Sequence, residues 1–163
     1  MTQARFAAFA ATYAEQHRPV WAYLVRLGAT ATVAEDLAQE AFVRWLNHAH
    51  SLDEPGQAKA FLFTAASRLL IDRWRRERRF VSWDADTPEQ SVAPAEDGMI
   101  SGSAWAGLTR RERQLLWLAY AEEFSHAEIA DITGLASASV KVLLSRARAR
   151  LKASLTPREG QDE

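Results

Sequence analysis

The feature that most constrains this 163-residue chain is an acidic segment, residues 81–107, that is rich in residues that break helices and strands. It contains two prolines, three glycines and five acidic residues but no basic one. Because unstructured loops of this length are rare inside compact domains, we predict an acidic flexible linker, with Trp83 and Trp105 anchoring its ends. A surface loop within a single domain is the alternative.

The linker divides the chain into two predicted domains, residues 1–80 and 108–157, followed by a tail at 158–163. Residues 1–80 carry eleven basic and eight acidic side chains, and residues 109–157 carry eight basic and five acidic ones. Both blocks are therefore basic, although the formal net charge of the whole chain is −1. This asymmetry is more informative about function than the total charge.

Several classes of protein are excluded by composition and motif. Cysteine is absent, so the chain has no disulfide, thiolate metal site or cysteine nucleophile. No apolar run approaches the roughly 18 residues that span a bilayer. The N-terminal MTQARFAAFA lacks the pattern of a signal peptide, so a cytoplasmic protein without membrane insertion is expected. The histidines lack ligand spacing and no phosphate-binding or nucleophile motif is present, so we expect no metal, cofactor or enzymatic activity.

The two blocks predict an all-α fold, with three helices in the N-terminal domain and a C-terminal helix-turn-helix domain. Both are rich in Ala, Leu, Arg and Glu and lack the alternation of strands. Capping boxes are predicted to begin three helices at Thr32, Thr109 and Ser125. Pro19 is expected to kink or restart the first helix, and Gly134 to end the fifth. The predicted helices cover residues 3–27, 32–50, 57–79, 109–121, 125–133 and 137–154, with a turn at 51–56.

The second predicted helix has an acidic face that lies apart from its core stripe. The core stripe recurs every four residues and comprises Val33, Leu37, Ala41 and Trp45. The acidic face comprises Asp36, Gln39 and Glu40, bordered by the apolar Val43 and Leu46. An acidic patch with an apolar rim suits docking onto a basic helical partner. A solvated helix face is the alternative.

The third predicted helix has a strongly basic face. Its apolar stripe comprises Leu62, Ala65, Ala66, Leu69 and Leu70, and its basic face comprises Arg68, Arg73, Trp74, Arg75, Arg76 and Arg79. Asp72 lies four residues from both Arg68 and Arg76 and is expected to orient them. Because arginines bind phosphates and aromatic rings stack on unpaired bases, this face is predicted to contact DNA. A solvated basic helix end is the alternative.

The fifth and sixth predicted helices form a helix-turn-helix: a short helix, a glycine-containing turn and a longer helix. The longer helix has a ridge of small residues around Val142 with cations on both sides, which suits a DNA major groove between two phosphate backbones. Val142 is expected to contact a thymine methyl group. A basic helical hairpin with no DNA role is the alternative. The residues predicted to face DNA are Ser137, Ser139, Lys141, Val142, Ser145, Arg146 and Arg148.

These segments resemble the extracytoplasmic-function (ECF) sigma factors of bacterial RNA polymerase, within the sigma-70 superfamily. The resemblance is carried, in the family's order, by AEDLAQEAFVRWL, FLFTAASRLLIDRWRRERR, LTRRERQLL and SHAEIADITGLASASVKVLLSRARARL. It implies two helical domains and a DNA-binding specificity subunit that is not an enzyme. The first domain would bind the clamp of the RNA polymerase core and open the −10 promoter element. The second would read the −35 element and bind the polymerase flap, and an anti-sigma factor is the expected regulator.

The resemblance also assigns roles to the three faces. It implies that the acidic face binds the core polymerase, that the basic face of the third helix binds the −10 element, and that the last helix reads the −35 element. Arg68 stands where many relatives have Asn, and residues 139–144 replace a more polar family sequence. The alternative function is a stand-alone helix-turn-helix regulator with a helical sensor or dimerisation domain. That alternative explains the last three helices but neither the acidic face nor the arginines of the third helix.

Overall fold

Helices make up nearly all of the chain that the computed structural model describes, namely residues 2–48, 55–78 and 102–155. No strand occurs within those ranges, in agreement with the predicted all-α fold. The chain divides into two units, with α1–α3 in the first and the later helices in the second, except that residues 131–134 are grouped with the first. The elements are α1 (Gln3–Arg26), α2 (Ala31–Asn47), α3 (Pro55–Glu77), α4 (Gly102–Ala106), α5 (Arg110–Leu116), a π-helical turn (Trp117–Ala121), α6 (His126–Thr133) and α7 (Ser137–Leu155).

Helix α1 begins and ends with local hydrogen bonds. The Thr2 hydroxyl accepts the Arg5 backbone N–H at 3.3 Å and so caps the first turn. At the other end Gly28 has a φ of 115°, and the N–H groups of Gly28 and Ala29 bond back to carbonyls of the last turn. Glycine is the residue that most often adopts this left-handed conformation at the end of a helix.

Pro19, which was expected to kink or restart α1, does not restart it, because the helix runs through this residue. Proline removes one backbone hydrogen bond, which weakens a helix locally. The residues that follow it, Val20, Tyr23 and Leu24, are fully buried in the core of the unit. Their packing stabilises the part of α1 that follows Pro19, so tertiary contact outweighs the local preference.

The predicted capping box at Thr32 is wrong. Helix α2 is capped two residues earlier by Thr30, whose hydroxyl accepts the Val33 backbone N–H at 3.3 Å. Glu35 does not close a box with Thr32, because its Oε1 lies 3.1 Å from Nε2 of His17 on α1. The Glu35 carboxylate, which the predicted capping box required, is thus bonded to a neighbouring helix instead.

Two further helix ends differ from the predicted ones. Helix α2 ends at Asn47 and is capped by His48, so it is shorter than the predicted helix. Helix α3 begins at Pro55, within the predicted turn, since the missing N–H of proline is not needed in a first helical turn. The described residues around α3 end at 78, so the predicted end at Arg79 lies outside the described residues.

The core of the first unit is aromatic, with one buried polar link. The Phe9 and Trp45 rings stack with centroids 5.5 Å apart. The Ser67 hydroxyl donates to the Phe63 carbonyl at 2.7 Å, so the Tyr23 hydroxyl is the donor in its own 2.7 Å bond to Ser67. This bond ties α1 to α3 inside the core. The predicted stripes of α2 and α3 face inward, and their buried members are Leu37, Ala41, Trp45, Leu62, Ala65, Ala66, Leu69 and Leu70.

The second unit begins inside the predicted linker. Residues 102–106 form α4 and bury Trp105, the side chain that the sequence marks as an anchor. The predicted capping box of α5 is confirmed: the Thr109 hydroxyl accepts the Glu112 N–H at 3.2 Å, and Glu112 Oε1 accepts the Thr109 N–H at 2.9 Å. After Leu116 the chain continues as a π-helical turn rather than as the predicted α-helix.

The helix-turn-helix is formed by α6 and α7. The predicted capping box is confirmed, since the Ser125 hydroxyl accepts the Glu128 N–H at 3.1 Å and Glu128 Oε1 accepts the Ser125 N–H at 3.0 Å. Gly134, with a φ of 76°, ends α6 as predicted. Ser137 is the first residue of α7 rather than its cap, because the Ala136 carbonyl accepts the first helical hydrogen bond.

A buried arginine joins α4 to α5. Arg113 is 1% exposed, and its Nε and Nη2 donate to the carbonyls of Trp105 and Ala106 at 3.2 and 3.1 Å. Burial lowers the pKa of this guanidinium below its ordinary value. Its two acceptors belong to the last turn of α4, where carbonyls lack helical partners and a cation is favoured.

Candidate nucleic-acid interface

The acidic face of α2 is exposed to solvent. Asp36, Gln39 and Glu40 are all exposed, and Val43 beside them is 49% exposed. Two local contacts order this surface. Gln39 Nε2 donates to Glu35 at 3.2 Å, and Glu40 Oε1 lies 3.5 Å from Nε of Arg44. Leu46, predicted at the border of the face, is only partly exposed.

The position of this face follows from the packing of the helix. The opposite side of α2 is buried, and its members are Ala34, Leu37, Ala38, Ala41, Phe42 and Trp45. The contact between His17 and Glu35 fixes α2 against α1 at one edge, and Arg5 Nη2 donates to the Leu46 carbonyl at 3.2 Å at the other end. The acidic residues therefore project from a helix whose rotation is fixed by its neighbours.

The basic face of α3 is also exposed. Arg68, Arg75 and Arg76 are exposed, whereas Arg73 and Trp74 are partly buried. Arg73 Nε lies 3.3 Å from Glu77 Oε1, so this cation is partly neutralised. Arg79 lies outside the described residues.

The predicted role of Asp72 is not the one that the structure shows. We predicted pairs with Arg68 and Arg76, each four residues away. Instead Asp72 Oδ1 lies 4.0 Å from Nη1 of Arg75, three residues away, in a long and exposed ion pair. Such exposed pairs contribute little to stability.

The predicted DNA-facing side of α7 is exposed along its whole length. Val142, at its centre, is 49% exposed. On the opposite side, Val140, Leu144 and Ala147 are buried. The rotation of α7 thus matches the periodicity of the sequence. The predicted contact residues that are exposed are Ser137, Ser139, Lys141, Val142, Ser145, Arg146 and Arg148.

Two cations of α7 are held by residues that precede the helix-turn-helix, and sequence reasoning missed both contacts. Arg148 Nη1 donates to the hydroxyl of Tyr120 in the π-helical turn at 3.0 Å. Arg150 Nη1 lies 3.1 Å from Oε1 of Glu112 on α5. The partners are separated by 28 and 38 residues, so no local spacing indicates them.

In the part of the chain that the structure describes, no group of three or more His, Cys, Asp or Glu side chains is placed to hold a metal ion. Among the described helices, none combines the length and the apolar character that a membrane crossing requires.

Comparison with known proteins identifies the class to which these faces belong. The family model for sigma-70 region 2 matches residues 4–80, and the model for sigma-70 region 4 matches residues 103–151. The first match contains the acidic face of α2 and the basic face of α3. The second contains the helix-turn-helix, so the chain has the two-part organisation of the sigma-70 class.

Individual relatives narrow the class further. The ECF RNA polymerase sigma factor SigL of Mycobacterium tuberculosis is 35% identical over 155 residues, which cover 89% of this chain and 87% of the relative. SigM of Bacillus subtilis is 31% identical, covering 82% and 86%. Among solved structures, the sigma factor RpoE of Bartonella quintana, in complex with the anti-sigma factor NepR, has a TM-score of 0.74 and 27% identity, covering 90% of this chain and 96% of that one. The chain belongs to the ECF RNA polymerase sigma factors, which confirms the predicted family.

Proposed function

We propose that this chain binds the RNA polymerase core and directs promoter-specific initiation of transcription, as a cytoplasmic specificity subunit rather than an enzyme. Membership of the ECF sigma factor family supports the proposal. The structural observation that carries it is the exposure of three separate faces, one acidic and two basic, on helices whose opposite sides are buried. A stand-alone regulator would need only the face on α7.

The function follows from two weak contacts with DNA that act together. A small basic domain binds DNA weakly, and its binding depends strongly on salt. When two such domains are joined by a linker and held on the same polymerase, each contact raises the effective concentration of the other. We propose that the first domain ends at residue 80 and that the second begins with α4 at residue 102, with the acidic linker between them kept off duplex DNA by its charge.

Run-off transcription with purified core RNA polymerase tests the proposed function. Promoter templates are taken from a random genomic library, and the 5′ ends of the transcripts are sequenced. Adding the chain should produce new transcripts whose start sites share two upstream elements. Operator-like DNA binding without core polymerase, together with no new transcripts, would instead identify the stand-alone regulator.

We propose the acidic face of α2 as the site that binds the core polymerase clamp. Reversing charge with Asp36→Arg and Glu40→Arg should abolish core binding in a pull-down titration. Because both side chains are exposed, stability should change by only about 0.5 kcal/mol per substitution. Glu15→Arg, an exposed charge reversal on α1, is the matched control. If the double variant binds the RNA polymerase core as tightly as the unmodified chain does, the acidic face is not the binding site.

We propose that the exposed arginines of α3 contact the single-stranded −10 element. Replacing Arg75 and Arg76 with Ala should impair promoter opening, measured by permanganate footprinting, and leave core binding intact. Arg18→Ala, an exposed arginine on α1, controls for loss of positive charge alone. If core binding falls while opening by the remaining complexes is normal, the arginines belong to the polymerase interface instead.

We propose that Val142 is the central residue for reading the −35 element. An apolar side chain there discriminates bases through a thymine methyl, so Val142→Asn should change the preferred base at one position, at a cost of roughly 1–3 kcal/mol on the original site. Selection of randomised −35 sequences by the holoenzyme measures the preference. Ala153→Asn, about three turns along α7, should change nothing. An unchanged preference in Val142→Asn would mean that another side of α7 faces the bases.

We also propose an anti-sigma factor as the regulatory partner of this chain. The support is the RpoE–NepR complex, in which a sigma factor of similar fold is bound by an anti-sigma factor. A cognate inhibitor should suppress run-off transcription when it is added before core polymerase and have less effect when it is added after holoenzyme has formed. Equal suppression in either order would argue for inhibition at the promoter.

A further inference from the structure

The two arginines of α7 that bond to earlier residues, Arg148 and Arg150, differ in how much of their positive charge is available to a ligand. Arg150 is paired with the Glu112 carboxylate, whose side chain is only 16% exposed, so its charge is compensated within the protein. Arg148 is bonded to the neutral hydroxyl of Tyr120, which leaves its full positive charge uncompensated by this contact. Both Arg148 and Tyr120 are exposed, and the Tyr120 side chain is 57% exposed. Arg148 is therefore oriented by its partner without being neutralised.

The hydrogen-bond chemistry of this pair favours an anion. The Tyr120 oxygen accepts from Arg148, so the phenolic hydrogen is not used in that bond. Accepting a bond from a cation polarises the hydroxyl and makes it a stronger donor. An anion that approaches the pair meets the remaining N–H groups of the guanidinium and one O–H group. Phosphate, with several acceptor oxygens, matches this set of donors.

The pair of Tyr120 and Arg148 lies on one flank of the proposed DNA-binding side of α7. Lys141, Ser145 and Arg148 are spaced four and three residues apart, so they share one flank of the helix. Tyr120 lies in the π-helical turn before the helix-turn-helix and contacts this flank through Arg148. The flank is thereby extended beyond α7 itself by one polar donor.

We propose that Tyr120 and Arg148 together bind one phosphate of the DNA backbone at the edge of the −35 element. Tyr120 donates one hydrogen bond to the phosphate and also positions the guanidinium. This inference rests on the proposed function, since it assumes that α7 reads the −35 element. The contact is with the backbone, so it adds affinity for every −35 sequence and no preference among bases.

The test uses the full chain bound to core polymerase and measures affinity for promoter fragments at four salt concentrations. The variants are Tyr120→Phe, Arg148→Gln and the double variant, with Tyr13→Phe on α1 as the control for loss of a tyrosine hydroxyl. Tyr120→Phe should weaken binding roughly three- to ten-fold at every salt concentration, because one hydrogen bond is lost. Arg148→Gln should weaken binding more and reduce the salt slope by about one. The double variant should bind more weakly than Arg148→Gln, but by less than the product of the two single effects, since the two side chains are coupled.

Three results would overturn the inference. If Tyr120→Phe binds promoter DNA as tightly as the unmodified chain does, the bond between Tyr120 and Arg148 is only a surface contact within the protein. Effects that multiply in the double variant would show two independent contacts. A changed base preference in Tyr120→Phe, found by selection of randomised −35 sequences, would show base readout rather than phosphate binding.

Failure of the inference and failure of the proposed function are distinguishable. If the unmodified holoenzyme does not initiate transcription, the proposed function fails. If the unmodified holoenzyme initiates transcription and the Tyr120→Phe holoenzyme binds promoter DNA with the same affinity, only the inference fails. The variants should fold, because both side chains are exposed. Arg148→Lys is a second variant that keeps the charge but lacks the planar fork. It should retain the salt slope and lose affinity.

Discussion

Both units of this chain pack helices around a core, but different interactions stabilise the two cores. The first has three helices of 24, 17 and 23 residues, long enough to bury continuous stripes of apolar and aromatic side chains. In the second, α4, α5 and α6 have only five, seven and eight residues. Isolated helices so short are unstable in water, so their ends require caps and side-chain bonds. The second unit accordingly has two capping boxes and a buried arginine on backbone carbonyls.

The largest effect should come from the aromatic core of the first unit. Trp45 is fully buried and stacks on Phe9, so Trp45→Ala should lower the free energy of unfolding of that unit by roughly 3–5 kcal/mol. Hydrogen exchange measured by mass spectrometry reads the two units separately. Trp21→Ala, which removes a partly exposed ring from α1, should cost clearly less. Equal losses of protection in both units would show that they unfold together, and the comparison would fail.

The second prediction replaces the polar anchor of the second unit. Arg113→Met keeps an apolar stem but leaves the carbonyls of Trp105 and Ala106 without their donors, at a cost of roughly 1–3 kcal/mol. The rate of backbone hydrogen exchange should increase first in α4. Arg111→Met, at a partly buried neighbour, is the control and should have a smaller effect. Protection of α4 that survives Arg113→Met would mean that burial of Trp105, rather than the arginine, holds this helix.

The comparison also explains which features could be predicted from the sequence. The core stripes of α2 and α3 were predicted because their periodicity extends over several turns. The boxes at Thr109 and Ser125 were predicted because all their atoms lie within four residues. The box at Thr32 failed because α2 begins two residues earlier, with Thr30 as its cap, and because Glu35 is bound by His17 on another helix. Local rules hold where a segment supplies its own partners and fail where packing supplies them.

The candidate site divides in the same way. Exposure of the acidic face of α2 and of the predicted side of α7 follows from periodicity alone. The contacts of Arg148 with Tyr120 and of Arg150 with Glu112 do not, because they join residues far apart in the chain. Position 120 is also displaced from a regular α-helical register by the π-helical turn, for which the sequence has no recognised signal. The exposure of these faces could therefore be predicted, whereas the pairings of individual side chains could not.

A third prediction compares the same cap in both units. Thr109 is 8% exposed and begins a seven-residue helix, whereas Thr30 is exposed and begins a 17-residue helix. Loss of an N-cap costs about 0.5–2 kcal/mol, and burial and short helix length should place Thr109→Ala near the upper limit. Thr30→Ala should lie near the lower limit. Urea unfolding of the full chain measures both, and equal costs would contradict the view that the second unit depends more on its caps.

The smallest effect should be a gain in stability. Both units contain residues with positive φ: the first has Gly28 at 115° and Gly134 at 76°, whereas the second has Glu123 at 57°. A side chain in the left-handed region is strained, and glycine is not. Glu123→Gly should therefore raise the free energy of unfolding by about 0.5–1 kcal/mol, after the greater flexibility of the unfolded chain is subtracted. The neighbouring Glu122 has a φ of −101°, so Glu122→Gly removes the same charge without relieving strain and should destabilise the chain. Loss of stability in both variants, measured by urea unfolding, would show that the Glu123 side chain stabilises the turn by more than its backbone strain costs.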